Sequence, residues 1–182
     1  MENDTGVQVV ENLDGSRTEY QDIPPTSDML EHLLRDIFEH HWDGICVGPI
    51  LQGAAYELQY SKPPKVSMGA GYLTVDTGEW HFHLYIGAAG GTEAPAGNTE
   101  LGKQRRVSRA AFFRDIRGEK GCLPGSWGFR LWNGLGEQMI TIFFPSPYYD
   151  RQGGRHDPPK WEKLELWERL RAEYVGGREP TL

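Results

Sequence analysis

The chain has 182 residues and a formal net charge of -7 at pH 7, with 38% hydrophobic and 25% charged residues. This composition predicts one globular domain with a sizeable core. The acidic balance argues against nucleic acid or an anionic membrane surface as the main partner. Because the sequence has no run of about 18 apolar residues, we expect no membrane-spanning segment and no membrane partner.

The cellular environment is predicted from the cysteines and the first residues. The chain has two cysteines, Cys46 and Cys122, which are far apart and form no paired motif. The N-terminus is acidic and lacks the apolar segment of a secretory signal. Both features predict a reduced, cytoplasmic environment. The roles of these cysteines, and of His41 and His156, stay open at this point.

The first part of the chain predicts an arm and a helix. Residues 1–25 are expected to form an extended N-terminal arm, in which valines at positions 7, 9 and 10 can make a short edge strand. The helix that follows has Asp28 as its cap and Glu31 as the capping-box partner. Apolar residues then recur at helical spacing up to the Asp43-Gly44 turn, which ends the helix.

The next part predicts strands. Residues 45–60 are expected to form one strand broken by glycine and proline, and residues 66–75 form a second strand. Asp76-Thr77-Gly78 predicts a tight turn that pairs residues 66–75 with residues 79–86 in antiparallel fashion. Residues 87–97 are small and glycine-rich, which is typical of a mobile loop.

The segment 79–86 alternates strictly and predicts a strand with one apolar and one polar face. The apolar side carries Trp80, Phe82, Leu84 and Ile86, and the polar side carries Glu79, His81, His83 and Tyr85. With a rise of about 3.3 Å per residue, the two imidazoles stand about 7 Å apart along one face. The even- or the odd-numbered residues of the preceding strand can share this face, because the turn length is not fixed by the sequence.

Residues 98–117 predict a second helix with Asn98 as its cap. On a helical wheel, Arg105 and Arg109 fall within the arc of about 120° that its aromatic side chains occupy. If this arc faces inward, the two guanidinium groups enter the protein and require anionic partners. Alternatively, both arginines reach the rim and pair with acidic residues of the same chain.

The last elements complete the expected fold. Residues 127–132 and 138–144 predict a hairpin joined by an Asn-Gly turn, and a third helix is expected after the following proline pair. The element order predicts a single α+β domain over residues 26–178, with a mainly antiparallel sheet of about five strands packed against helices. Residues 179–182 are expected to form a short tail.

His81 and His83 predict a metal site, because imidazole is a common ligand of transition metals. We therefore expect a divalent transition metal (Fe, Zn, Co or Cu) as the cofactor. Two imidazoles alone bind weakly and need a third ligand. Glu137, which opens a strand of the predicted hairpin, is the candidate carboxylate, and Glu79 has the correct parity beside the turn.

The residues around this site predict chemistry on a small anionic molecule. Arg105 or Arg109 would hold a carboxylate or phosphate by a bidentate pair. Tyr85 lies on the histidine side of the strand and would give or take a proton, with Glu137 as the second catalytic group. A metal-dependent enzyme with arginine anchoring is the function that these patterns favour most.

Three other functions stay open. A tetrapyrrole such as heme can be ligated by one histidine, with arginines on its propionates and aromatic residues against the ring. A metal-free site can use His81 or His83 as a general base. The protein can also be a structural or interaction module with surface histidines, and an open sheet face can form a homodimer.

Overall fold

A computed structural model describes residues 6–13, 15–51, 53–88, 99–116 and 125–175. The strands are β1 Val7–Glu11, β2 Arg17–Ile23, β3 Cys46–Gly48, β4 Ile50–Leu51, β5 Ala54–Ala55, β6 Leu58–Gln59, β7 Lys65–Gly69, β8 Tyr72–Asp76, β9 His81–Tyr85, β10 Val107–Ile116, β11 Gly125–Asn133 and β12 Gln138–Phe143. The α-helices are α1 Ser27–Arg35, α2 Glu100–Arg105 and α3 Glu165–Tyr174. A π-helical turn, Asp36–His40, continues α1, and short 3-10 segments occupy Trp42–Gly44 and Trp161–Leu164.

The strands form three sheets. The main sheet has seven strands in the order β1-β2-β10-β11-β12-β3-β6, and each neighbouring pair is antiparallel. A three-stranded sheet has the order β7-β8-β9, and β4 pairs with β5. The predicted α+β domain with a mainly antiparallel sheet is confirmed, although the main sheet has seven strands where about five were expected. The predicted arm contributes β1 as an edge strand and β2 as the neighbour of β10.

One apolar core joins the two larger sheets and two helices. It is built from the inner face of the seven-stranded sheet, from α1, from α3 and from the apolar face of the three-stranded sheet. Leu33 of α1, Leu73 of β8, Phe129 of β11 and Leu170 of α3 are each fully buried in it. Because both sheets share this core, the three-stranded sheet is part of the same domain.

The first helix and the strands after it follow the sequence pattern with local differences. The N-cap of α1 is Thr26, so the predicted cap at Asp28 is wrong and Asp28 lies in the first turn. Residues 45–60 were predicted as one broken strand, and this is wrong: they form four short strands that reverse direction, with β3 pairing with β6 and β4 with β5. The predicted strand 66–75 is instead the β7–β8 hairpin, because Ala70 and Gly71 have positive φ values of 50° and 83° and reverse the chain.

The predicted second helix is wrong for most of its length. Only α2 is helical, and the Thr99 hydroxyl caps it by accepting a hydrogen bond from the Gly102 amide (3.0 Å). From Val107 onward the chain is the strand β10, and both faces of this strand are covered. Phe112 is 1% exposed on the inner face and Phe113 is 0% exposed on the outer face. A strand that is buried on both sides loses its alternation, so its apolar residues also fitted a helical arc.

The last third of the described chain agrees with the prediction. The hairpin is formed by β11 and β12, and β12 lies between β11 and β3, inside the sheet. The third helix begins with the 3-10 segment at Trp161 and continues as α3. The indole Nε1 of Trp167 donates a hydrogen bond to the carbonyl of Gly128 (3.1 Å), which attaches α3 to the inner face of the sheet.

Candidate functional site

The polar side of the three-stranded sheet carries the two predicted histidines. Cross-strand pairing places Thr74 opposite His83 and Asp76 opposite His81, so the even-numbered residues of β8 share the side of the histidines. We call this surface the histidine face, and it consists of Lys65, Ser67, Gly69, Tyr72, Thr74, Asp76, His81, His83 and Tyr85. The opposite side of the sheet packs into the core, which explains why this strand alternates so strictly.

His81 and His83 project from the same side of β9, as predicted. Both residues are exposed, and their ring centroids are 5.1 Å apart. Two imidazoles that bind one tetrahedral ion at metal–nitrogen distances of about 2.0–2.1 Å have centroids about 5 Å apart. The two rings are therefore separated by the distance that a shared ion requires.

The neighbouring strand holds one of the rings in place. The hydroxyl of Thr74 is hydrogen-bonded to Nδ1 of His83 at 2.7 Å, so Nε2 is the ring nitrogen that stays open to a ligand. A hydrogen bond to the second ring nitrogen is typical of metal-binding histidines, because it fixes the orientation of the ring. This contact could not be predicted from the sequence, since it depends on the register between β8 and β9.

Asp76 is the carboxylate that the sequence analysis did not select. It lies directly opposite His81, and its Oδ1 accepts a hydrogen bond from the amide of Gly78 (2.7 Å). Within the described ranges, no group of three histidine, cysteine or acidic side chains is already arranged around a single point. The histidine face thus combines two adjacent imidazoles with the carboxylate of Asp76, which is hydrogen-bonded to the amide of Gly78 in the turn between β8 and β9.

The two predicted catalytic groups do not both belong to this face. Tyr85 shares the face but is only 6% exposed, and its ring lies 4.7 Å from the ring of Tyr72. Tyr72 is the tyrosine whose ring meets His83, with centroids 6.4 Å apart. Glu137 belongs to the β11–β12 hairpin of the other sheet, where its carboxylate accepts a hydrogen bond from Nδ2 of Asn133 (2.9 Å).

The two predicted arginines do not lie on one helix, and this part of the prediction is wrong. Arg105 is exposed at the end of α2, whereas Arg109 lies on the strand β10. The guanidinium group of Arg109 donates to Asp22 (3.0 Å) and lies 4.5 Å from the centroid of Trp132. The alternative, in which an arginine pairs with an acidic residue of the same chain, is correct for Arg109. Arg109 lies on a different sheet from the histidines, because β10 belongs to the seven-stranded sheet.

His41, His156 and Cys46, whose roles were left open, contact other parts of the chain. The ring of His41 contacts Arg169 (3.0 Å from Nε2 to Nη2), and burial lowers the pKa of this histidine. His156 lies against Lys163, with 3.1 Å between Nε2 and Nζ. Burial raises the pKa of the Cys46 thiol to about 11. Cys122 and most of the predicted loop 87–97 lie outside the described residues.

The chain was compared with known proteins. The profile of a protein family, described as a family of unknown function (DUF7676), matches residues 7–176. The chain belongs to this family. Among curated proteins, none matches the sequence. In the part of this DUF7676 member that the structure describes, the helices lack the length and hydropathy that a bilayer crossing requires.

Proposed function

We propose that the protein binds a divalent transition-metal ion on the histidine face, with His81 and His83 as ligands. The observation that carries this proposal is the 5.1 Å separation of the two ring centroids on one side of β9. The hydrogen bond between Nδ1 of His83 and the Thr74 hydroxyl adds to it, because a held ring loses less conformational freedom when it binds an ion. In the ligating form Nδ1 carries the proton and donates to the hydroxyl oxygen, which leaves the lone pair of Nε2 for the ion. Nitrogen ligands favour zinc, copper, cobalt and iron over magnesium and calcium.

Asp76 is the third ligand in this proposal. Its side chain needs only to turn from the Gly78 amide toward His81, and a hydrogen bond of this kind contributes about 0.5–1.5 kcal/mol. Two imidazoles and one carboxylate leave coordination positions free, as in catalytic metal sites. A small anionic molecule would bind to the ion at these positions, without an arginine as its anchor.

The tetrapyrrole alternative has less support from the histidine face. A macrocycle is bound between apolar walls that cover both of its sides. Both histidines are exposed, and the apolar side chains of this sheet point into the core on its opposite side. The general-base alternative uses the same two rings and is separated from metal binding by the experiment below.

The proposal is tested by titrating Zn²⁺ and Co²⁺ into protein that carries no histidine tag. We expect one ion per chain by calorimetry and, for Co²⁺, the visible absorption of a tetrahedral complex. His81→Ala and His83→Ala should each lower the affinity at least tenfold, and Thr74→Val should lower it about tenfold because the ring of His83 is released. Asp76→Asn should weaken binding without changing the fold.

The matched control is His40→Ala, which removes an exposed histidine from the turn after α1 and should leave the affinity unchanged. Because His81 and His83 are exposed, their replacement should change the free energy of unfolding by no more than about 0.5 kcal/mol. Equal binding by the wild type and by the His81→Ala/His83→Ala double variant would refute the proposal. No binding by the wild type would also refute it, and would favour the two metal-free alternatives, the general-base site and the structural or interaction module.

A further inference from the structure

A groove with a volume of about 800 Å³ lies on the outer face of the seven-stranded sheet, on the side opposite α3. It is independent of the histidine face, because it belongs to the other sheet. Its floor and walls include the apolar side chains of Tyr20, Phe143 and Phe144 and the polar side chains of Asp115, Ser126 and Arg130. The neighbouring ring of Phe113 is completely buried beneath Arg130.

Arg130 of β11 is held in this groove by neutral partners. Its Nε donates to the hydroxyl of Thr141 (3.0 Å), and its Nη1 donates to the hydroxyl of Tyr20 (2.6 Å). Its guanidinium carbon lies 4.4 Å from the centroid of the Phe113 ring. These contacts fix the plane of the guanidinium group, which is half-buried.

Arg130 differs from the arginines beside it in having no carboxylate. On β10, Arg109 is paired with Asp22 at 3.0 Å and Arg114 is paired with Glu19 at 2.7 Å. Among the residues that the structure describes, no acidic oxygen lies within 4.0 Å of the Arg130 guanidinium, and its Nη2 has no acceptor. A half-buried cation that has only neutral partners is a strong binding point for an external anion.

Below the groove, the ring of Phe113 packs directly on a glycine. A Cβ atom on Gly128 would lie only 2.2 Å from the ring of Phe113, so the ring can occupy its place only above a residue without a side chain. Phe143 packs edge-on against Phe113, with centroids 5.8 Å apart. Phe143 and Tyr20 line the groove beside Arg130, so an apolar or aromatic group can lie against their rings while its charged end meets Arg130.

The opposite end of the groove limits the charge of the ligand. Both carboxylate oxygens of Asp115 accept hydrogen bonds at 2.7 Å, one from Thr18 and one from Ser126. Ser126 precedes Arg130 by four residues on the same strand, so the two ends are about 13 Å apart. The carboxylate of Glu57 also lines the groove. These two carboxylates oppose a second negative charge on a ligand.

We propose that this groove binds a monoanionic carboxylate with an apolar or aromatic body. The carboxylate pairs with the open side of the Arg130 guanidinium, and the apolar body covers the rings of Tyr20 and Phe143, which line the groove. Dianions are rejected by Asp115 and Glu57. This site does not depend on metal binding at His81 and His83, so either proposal can fail while the other holds.

Three ligands of one shape test the proposal on the wild-type protein. The probes are 2-naphthoate, its neutral amide 2-naphthamide, and the dianion naphthalene-2,6-dicarboxylate. We expect 2-naphthoate to bind and the other two to bind at least tenfold more weakly. The amide lacks the charge that strengthens a hydrogen bond to arginine, and the second carboxylate of the dianion is repelled by Asp115 and Glu57. Amide NMR shifts should change along β11 and β12 and remain constant along β9.

Matched variants identify the anchor. Arg130→Gln should lower the affinity for 2-naphthoate at least tenfold, and Arg130→Lys should retain part of it. Arg114→Gln is the control, because this arginine lies on the opposite face and is already paired with Glu19. Equal binding of 2-naphthoate and 2-naphthamide, shift changes confined to other parts of the chain, or no binding by the wild type would each overturn the proposal. The ligand series on the wild type decides the matter even if Arg130→Gln does not fold.

Discussion

The three-stranded and the seven-stranded sheets differ in how many of their faces are covered. One side of the three-stranded sheet packs into the core, and the other is the polar histidine face. The seven-stranded sheet has the core on its inner side and a second apolar cluster on its outer side, formed by Tyr20, Ala111 and Phe113 with Trp132 and Phe143 packed around them. Alternation of polar and apolar residues therefore identifies a strand only where one face of the sheet is exposed to water. A strand alternates when water covers one of its faces, and it loses this pattern when neither face is wet.

The largest effect that this comparison predicts concerns Phe113. Phe113→Ala should lower the free energy of unfolding by about 3–5 kcal/mol, and Phe112→Ala on the inner face should lower it by a similar amount. Both side chains are fully packed although they point to opposite sides of the sheet. Urea unfolding measures the two values. On the histidine face, the control Ser67→Ala should change the stability by no more than about 0.5 kcal/mol. If Phe113→Ala lowered the free energy of unfolding by less than about 1 kcal/mol, the outer face of the seven-stranded sheet would be exposed to solvent at this residue.

The second prediction compares a thiol on each sheet. Cys46 lies beside Phe143 in the seven-stranded sheet, and burial raises the pKa of its thiol from 9.0 to about 11. Because the thiolate is the reactive form, a disulfide reagent at pH 8 should modify Cys46 about a hundredfold more slowly than an exposed cysteine. Two variants with a single thiol are compared. Cys122→Ser leaves only Cys46, and Ser67→Cys in a chain with both natural cysteines replaced by serine leaves only a thiol on the histidine face.

The pH dependence of this reaction shows whether the pKa of the Cys46 thiol is raised. The rate for Cys46 should continue to rise about tenfold per pH unit from pH 8 to pH 10, because its thiol is still largely protonated there. The rate for the cysteine at position 67 should level off near pH 9, the ordinary pKa. Parallel profiles for the two thiols would mean that the environment of Cys46 does not disfavour its charged form.

The smallest of the three effects is a pair of glycine substitutions. Gly128→Ala should lower the free energy of unfolding by about 1–3 kcal/mol, because the new methyl group would meet the ring of Phe113 at 2.2 Å. A Cβ atom at Gly69 on the histidine face would have no atom within 4 Å, so Gly69→Ala should leave the free energy of unfolding unchanged or raise it slightly. Thermal unfolding compares the two variants. If the ring is the cause, Phe113→Leu should reduce the cost of Gly128→Ala in the double variant.

The fold class and the histidine strand could be predicted because both follow from local patterns. The alternation in β9, the Asn-Gly hairpin and the stripe of α3 each depend on neighbours within a few residues. The strand β10 could not be predicted in this way, because Ala110 to Phe113 are apolar on both faces. Only the pairing with β2 and β11, which are distant in sequence, decides that this segment is a strand.

The candidate sites were predicted only in part, for a related reason. The two histidines share one strand, so their common side could be derived from spacing alone. Asp76 depends on the register of the β8–β9 turn, and Arg130 stands out only because its neighbours in space are neutral. Arg109 was selected from the arc of a predicted helix, whereas it lies on a strand and is already paired with Asp22, and ion pairing of this kind is a property of the folded chain.

Gly128 is contacted from both sides of the seven-stranded sheet. On the outer side the ring of Phe113 occupies the space of its missing side chain, and on the inner side its carbonyl accepts from the indole of Trp167. A single backbone unit therefore separates the groove from helix α3. A displacement of the Phe113 ring would therefore move the main chain of Gly128, and with it the carbonyl group that holds Trp167 of α3.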